Sequence, residues 1–555
     1  MASYKTPNIG LNKWAETDYF KRVEVNENFD KIDDQFSKVD DKIGILFKNS
    51  MNSSKVFNIA DYKRLATEVV DNPRINRAIE DAKAAGGGLV FLPPEYHETN
   101  GSILIENAQN IIFMGSGYRS QINVKAHPIQ VIIVNNSQNI MIKDLQVSLG
   151  LTGQTRNDAD VGIYITGNSD NVIIDCVWGN KKGIMIRGAT NVKITKCFIL
   201  NSLADGIHIT GATSNVLVEG NTCIGTGDDG IACLSYKSDS TRVSRVRIAN
   251  NYVRDSGARG ISNIGSEKIT IIGNHIDRTQ AAGIIVAQEP TYNTYGPIDT
   301  LIESNIVERY SLSIPHAGIF ISGVHSEHVD TNENGRGTII KGNIIDGKNA
   351  GNNPGCRAIA VDDSDDVHIE GNKGYDIITN KPAIAVGQYV NTSNTRRLKR
   401  ITVISNEIYG GSQPEFTNID ELTITNNRFY KITGYAGREV LISNCRYANI
   451  DQNRVTKTDD TKGTIEANNL YESIYGYQLS NTKFTGTDIN PWDGGYEWNN
   501  KIMESQGLTI PTGIPVAYNR IGAIGTMIYD STNDILYVRD SQNNWKGVQL
   551  TLNKS

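Results

Sequence analysis

The chain has 555 residues and a formal net charge of −6, with 52 Gly, 14 Pro and 21% charged residues. Lys and Arg are scattered under a net negative charge, which argues against nucleic acid as a partner, and no run approaches the roughly 18 apolar residues needed to span a membrane. The Gly- and Asn-rich composition suits many short strands joined by turns, and a chain of this length can form one large solenoid without a single compact core.

In chain order, the opening Met1-Ala2-Ser3-Tyr4-Lys5-Thr6-Pro7 lacks the apolar region of a secretory signal. A protein that works outside the cell would then be made in the cytoplasm and leave by another route, such as lysis. Within 17–47, Phe29, Ile32, Phe36, Val39, Ile43 and Leu46 follow a heptad pattern. That pattern fits either an oligomerisation stalk or a single helix packed on its own domain. We assign 1–52 to an N-terminal attachment or coiled-coil segment. In 53–100, Pro73–Ala82 reads as a helix with Pro in its first turn, Gly86-Gly87-Gly88 ends it, and Leu89–Leu92 is a short buried strand. Such a helix and strand can close the end of a solenoid.

From 101 to 480 the chain repeats itself. Gly-Ile pairs recur at Gly162, Gly183, Gly206, Gly230, Gly260, Gly283 and Gly318, and Ala358-Ile359 and Ala383-Ile384 continue the series. A second unit (Asn171-Val172, Asn191-Val192, Asn215-Val216) follows at the same period, and many strands end in Gly-Asn or Asn-Asn. Asn at a repeated turn suits both left-handed backbone and side-chain amide ladders. Short strands that alternate apolar and polar residues cannot bury a face alone, and stacking them makes a continuous core. The expected fold is all-β, a right-handed single-stranded parallel β-helix with a short N-terminal helical segment and a small C-terminal β module. Leucine-rich repeats, the competing solenoid, would need Leu where this chain has Ile and Val. In 481–555 the repeat is lost, and Met527–Val538 reads as a hairpin with a polar turn. The six cysteines, Cys176, Cys197, Cys223, Cys233, Cys356 and Cys445, show no metal spacing and are expected to be buried free thiols.

Aligning the rungs on Gly-Ile puts Lys182, Asp205, Asp229 and Arg259 in one column, because equivalent residues of adjacent parallel strands lie about 4.8 Å apart. Asp228 adds a third carboxylate. Stacked acids repel, so one should hold its proton more tightly, as a general acid/base pair requires. The competing reading is a charge ladder on a solvated face. His208, between Ile207 and Ile209, faces outward beside Asp205 and is a candidate sugar contact. Tyr292, Tyr295 and Tyr310 fall in long insertions and are candidates for stacking on sugars. Asp362-Asp363-Ser364-Asp365-Asp366 lacks the spaced ligands of a calcium loop and reads as a solvated acidic turn. We therefore expect no metal and no cofactor.

Ala204-Asp205-Gly206-Ile207 and Gly227-Asp228-Asp229-Gly230-Ile231-Ala232 resemble two signature motifs of the polygalacturonase (rhamnogalacturonase) family. The resemblance implies a right-handed β-helix that hydrolyses glycosides with inversion, with Asp228 as general acid and Asp205 and Asp229 activating water. The family's next motif has His before Gly, whereas this chain has Ser256-Gly257-Ala258-Arg259-Gly260-Ile261, and the family's Arg-x-Lys clamp has no match. Residues 72–96 resemble the entry to the pectate-lyase-like superfamily of phage tailspikes and pre-neck appendage proteins. Thr6–Trp14 with Asn26–Asp30 is similar to the attachment ends of phage tail proteins of Gram-positive hosts, and Gly525–Asp530 to a module near the ends of phage fibres. These resemblances imply a virion-tail homotrimer, joined to a tail or baseplate protein through its N-terminus. It would bind and hydrolyse a bacterial surface glycopolymer, such as wall teichoic acid or polysaccharide, at catalytic Asp205, Asp228 and Asp229. Substrate contacts would come from Lys182, His208, Arg259, Tyr292 and Tyr295. The rivals are a receptor-binding protein without catalysis and a polysaccharide lyase.

Overall fold

The computed structural model describes residues 55–323, 335–348, 357–387, 397–435 and 438–471, with short strands at 4–5, 12–13, 474–475, 481–484, 527–530, 535–539 and 545–549. The heptad segment at 17–47 and Cys356 lie outside the described residues. The chain is a right-handed parallel β-helix, the hand expected when parallel strands of one sheet are joined by crossovers. It divides into two compact units, Met1–Gly257 with Ser266–Thr270, and Ala258–Gly265 with Ile271–Ser555.

The first unit contains the helix Asn72–Ala84, in which Pro73 occupies the first turn and Ile75, Ala78, Ile79 and Ala82 are buried. This apolar stripe packs on the strands Gly88–Phe91 and Ile103–Glu106. Gly87, at φ 119°, permits the turn between helix and strand, and a Cβ there would come within 2.5 Å of the Asn110 carbonyl oxygen.

Each rung then contributes strands to three parallel sheets. The first sheet of this unit runs Ile103–Glu106, Gln130–Asn135, Val161–Thr166, Ile184–Arg187, Ile207–Thr210 and Ile231–Leu234. Its Gly-Ile isoleucines are in register, Ile163 on Ile184, Ile184 on Ile207 and Ile207 on Ile231, and all are at most 2% exposed. Burying each one contributes about 1.5–3 kcal/mol. The glycine before each isoleucine answers to space. A Cβ on Gly183 would lie 2.5 Å from the Asp205 carbonyl oxygen, and one on Gly206 2.5 Å from that of Gly230. The second sheet includes Thr190–Thr195, Ser214–Glu219 and Ser244–Ala249, and the third Phe198–Leu200, Thr222–Ile224 and Tyr252–Arg254. Gln138–Leu149 and Asp170–Asn180 serve both of these sheets by bending at Asp144 and Cys176, which have φ of 53° and 51°.

The second unit repeats this rung. Its first sheet includes Ile261–Ile264, Ile284–Ala287, Ala317–Ser322 and Arg357–Asp362, with Ile284 on Ile319 and Ile319 on Ile359 in register. A buried amide ladder runs through Asn274, Asn305, Asn343, Asn372, Asn406, Asn427 and Asn453, each at most 1% exposed. Each Nδ2 donates to the Oδ1 of the next asparagine. The expected ladder and left-handed turn are both present, but on different residues. The left-handed conformation belongs to the residue before each ladder asparagine, such as Gly273, Gly342, Gly371 and Asn426, with φ of 54–65°. In the first unit a separate, less buried column (Asn110, Asn139, Asn171) does combine positive φ with side-chain amide bonds.

Met527–Asp530 pairs antiparallel with Ile535–Arg539, and that strand with Trp545–Gln549. Cys197, Cys223, Cys233 and Cys445 are buried free thiols, and burial pushes the Cys223 thiol up to about 12. Cys176 is also free but only half-buried, because it occupies the bend described above.

Candidate active site

The turn before each first-sheet strand of the first unit carries the candidate chemistry. The register that pairs Ile207 with Ile231 places Asp205 on Asp229, and the Asp205 Oδ1 accepts the Asp229 backbone N–H at 3.0 Å. Asp228, one residue earlier, completes a cluster in which one carboxylate oxygen from each residue lies within 4.8 Å of the others. Asp229 is the most enclosed at 3% exposure, while the Asp205 and Asp228 side chains are 12% and 23% exposed. The inverting family's general pattern separates its carboxyls by about 6.5–9.5 Å to admit a water, so this resting arrangement is tighter than that pattern.

His208 stands outward in register with Met185 and Ala232. Its Nδ1 lies 2.5 Å from Asp205 Oδ2. This contact orients the imidazole and leaves its Nε2 edge facing away from Asp205.

The cation at this cluster is one that rung alignment did not single out. Arg156, from the turn that precedes Val161–Thr166, donates from Nη1 to Asp228 Oδ2 and from Nε to Asp158 Oδ1 at 3.3 Å. Burial disfavours its charge, but the hydrogen bond and charge of Asp228, with Asp205 behind, hold the guanidinium above its usual value. Its side chain remains 51% exposed. Three carboxylates this close could hold a cation, and the Arg156 guanidinium rests on one of them, Asp228.

Lys182 is corrected. Its column position is as expected, but its side chain is 0% exposed and donates to Asp160 on the preceding turn instead of facing a ligand. Burial pushes its ammonium below the usual value against the pull of Asp160. Asp160 Oδ1 also accepts the Ile129 N–H at 3.0 Å and lies 3.1 Å from His127 Nδ1. This buried knot anchors the end of the turn that carries Arg156.

In the second unit Arg259 donates to Glu289, so its guanidinium is already engaged by a carboxylate. Tyr292 is 65% exposed on the short turn Pro290–Tyr292, and Tyr295 is half-buried. Tyr310 is corrected: it is 0% exposed and belongs to the core. The acidic turn is less solvated than expected. Burial and Asp363 push the Asp362 carboxyl up to about 7 against the opposing charge of Arg357, and Asp366 accepts from Arg400 Nη2 at 2.9 Å.

Comparison with known proteins agrees with the architecture. The family model described as "Right handed beta helix region" matches residues 130–296. No curated protein sequence matches the chain. Similar solved structures include the A-module of the mannuronan C-5 epimerase AlgE4 of Azotobacter vinelandii (14% identity, 78% of this chain, 98% of that one, TM-score 0.43). They also include the bacteriophage CBA120 tailspike protein 3 (11% identity, 89% and 70%, TM-score 0.43). A third is PfbA, a surface adhesin of Streptococcus pneumoniae (13% identity, 90% and 99%, TM-score 0.38). At these identities the likeness is one of fold. The match to the family model agrees with the right-handed β-helix, whose clustered carboxylates lie on two successive turns.

Proposed function

We propose that this protein is the receptor-binding spike of a phage or prophage tail, which binds a bacterial surface glycopolymer and hydrolyses it at Asp205, Asp228 and Asp229. The observation that carries the reading is the convergence of these three carboxylates, with His208 on Asp205, from two successive turns of the β-helix. Glycoside hydrolysis needs one carboxyl to protonate the leaving oxygen and another to activate water or attack carbon, and such a cluster supplies both. His208 holds Asp205 in place, and the Asp229 amide fixes the same carboxylate from the other side. The sequence resemblances of both chain ends to phage tail proteins support the spike. Lysis of the host, an N-terminal joint to a tail or baseplate protein and a trimeric assembly belong to the same proposal.

The test is incubation of the purified protein with wall teichoic acid and capsular polysaccharide, following release of reducing ends and phosphomonoesters. Product release that disappears in Asp228→Asn and Asp229→Asn, with melting temperature retained, is the expected result. Depolymerisation unchanged in both variants would overturn the site. A second reading, binding without cleavage, is favoured by the Arg156 guanidinium resting on Asp228. It predicts saturable binding with no product from any of these polymers.

A further inference from the structure

Arg156 sits where a general acid would have to act, and this raises the question of what moves it. The Asp228 carboxylate is faced by Arg156 from the 151–160 turn, by Asp205 with its His208 from the preceding rung, and by Asp229 beside it, while Asp158 shares the guanidinium. The Asp160–Lys182 pair behind the turn is buried and holds the end of the turn that carries Arg156. Lys182 and Arg259, the two cations the sequence offered for an anionic ligand, are both engaged by carboxylates. Arg156 is half-exposed, so its charge is the one a ligand at this cluster can reach.

A neutral sugar that displaced Arg156 would break a charge-assisted hydrogen bond and return only neutral hydrogen bonds, which are about half as strong. An oxyanion on the ligand, whether phosphodiester or carboxylate, offers two oxygens to the planar fork of the guanidinium, which now donates to Asp228 through one nitrogen. Asp228 would then stand between Asp205 and Asp229 with no cation on it, and like charges that close disfavour the ionised form. Taking one proton from solvent relieves the repulsion. The anion brings one negative charge, the proton one positive, and the net charge of the cluster is unchanged.

We propose that Arg156 is a specificity gate: an oxyanion on the glycopolymer draws it off Asp228, and Asp228 takes up one solvent proton as it is released. The proposal rests on the reading of this cluster as the ligand site, but it does not require that the polymer be cut. It converts Asp228 to the protonated carboxyl a general acid must be, and only when an anionic ligand is in place.

The experiment is titration calorimetry of the full chain with poly(glycerol phosphate), oligogalacturonate and dextran, between pH 5.5 and 8, in two buffers of different ionisation enthalpy. At least one of the two anionic polymers is expected to bind with uptake of one proton per site, and its affinity should rise as pH falls, approaching about tenfold per unit at the linkage limit. Which of the two binds separates a phosphodiester source from a carboxylate one, and dextran should show no proton uptake. Arg156→Ala should weaken the anionic polymer and abolish the uptake, and Arg156→Lys should restore part of the affinity. Asp228→Asn, which frees the guanidinium, should bind about fivefold more tightly at pH 8, as expected for loss of a competing ion pair, with no uptake. Proton uptake that persists in Arg156→Ala, anionic binding that Asp228→Asn leaves unchanged or weakens, or no binding by either anionic polymer each overturns the gate. Linked binding without product would keep the gate and remove the hydrolysis.

Discussion

Replacing Lys182 by methionine decides whether that residue supports the site from within or contacts a ligand. The Lys182 and Asp160 side chains are 0% and 1% exposed. Removing one partner of a buried ion pair usually costs about 3–5 kcal/mol, because the other charge is left without compensation. Here Asp160 would keep the hydrogen bonds it accepts besides that of Lys182, such as the one from the Ile129 amide at 3.0 Å. Those contacts put Lys182→Met at the lower end, about 3 kcal/mol. Asp160→Asn keeps an acceptor for the Ile129 amide while removing the charge. The double variant Lys182→Met/Asp160→Asn should therefore lie only about 1 kcal/mol below the parent protein, a coupling of the kind a double-mutant cycle isolates. Urea unfolding followed by far-UV circular dichroism measures all four proteins. A cost under about 0.5 kcal/mol for Lys182→Met, with no coupling, is what a solvated surface lysine gives. That result would refute the buried anchor and return Lys182 to the ligand surface.

Two further perturbations probe the second unit. Asn343→Ala removes the acceptor for the Asn305 amide and a donor to the Ile302 carbonyl, both buried, and should cost about 2–5 kcal/mol in the same unfolding assay. Asn426→Ala, at an exposed left-handed turn, should cost no more than about 1–2 kcal/mol, so equal losses in the two variants would refute the ladder's role. His316 is held down to about 4 by burial and by the charge of Arg259. The folded state therefore resists protonation while the unfolded chain accepts it. Stability is fully present above about pH 6.5 and is lost as pH falls toward 4, by up to about 3 kcal/mol from this group. His316→Gln should flatten that part of the pH–stability curve, and a curve unchanged by the substitution would assign the acid loss elsewhere.

Much of this molecule can be read from its sequence because in-register parallel stacking turns sequence period into spatial contact. Once Ile184, Ile207 and Ile231 are aligned, the register of Asp205 on Asp229 follows without any knowledge of the loops. The direction of a long side chain does not follow. Lys182 shares the column of Asp205, but its flexible stem reaches back to Asp160 and not forward to the carboxylates. Arg156 was invisible for a related reason: it lies in a turn outside the repeat, where no period marks it, and its partner is 72 residues away. The asparagine motif was legible as a ladder, but the left-handed backbone moved one residue along. The buried amide bonds to the next rung, and the residue before it (Gly, Ser, Asn or Gln) takes the left-handed conformation.

The spacing of the isoleucine columns has a consequence for how such a chain can change. In the first unit successive rungs advance from Ile163 to Ile184, Ile207 and Ile231, and in the second from Ile284 to Ile319 and Ile359, yet every pair remains in register. The longer intervals leave the register of these strands unchanged. A turn such as 151–160 can thus be exchanged, lengthened or recoded while the isoleucines below it keep their neighbours. Variation of the turns is thereby decoupled from inheritance of the scaffold, because the isoleucine columns keep their register whatever the turn between them carries.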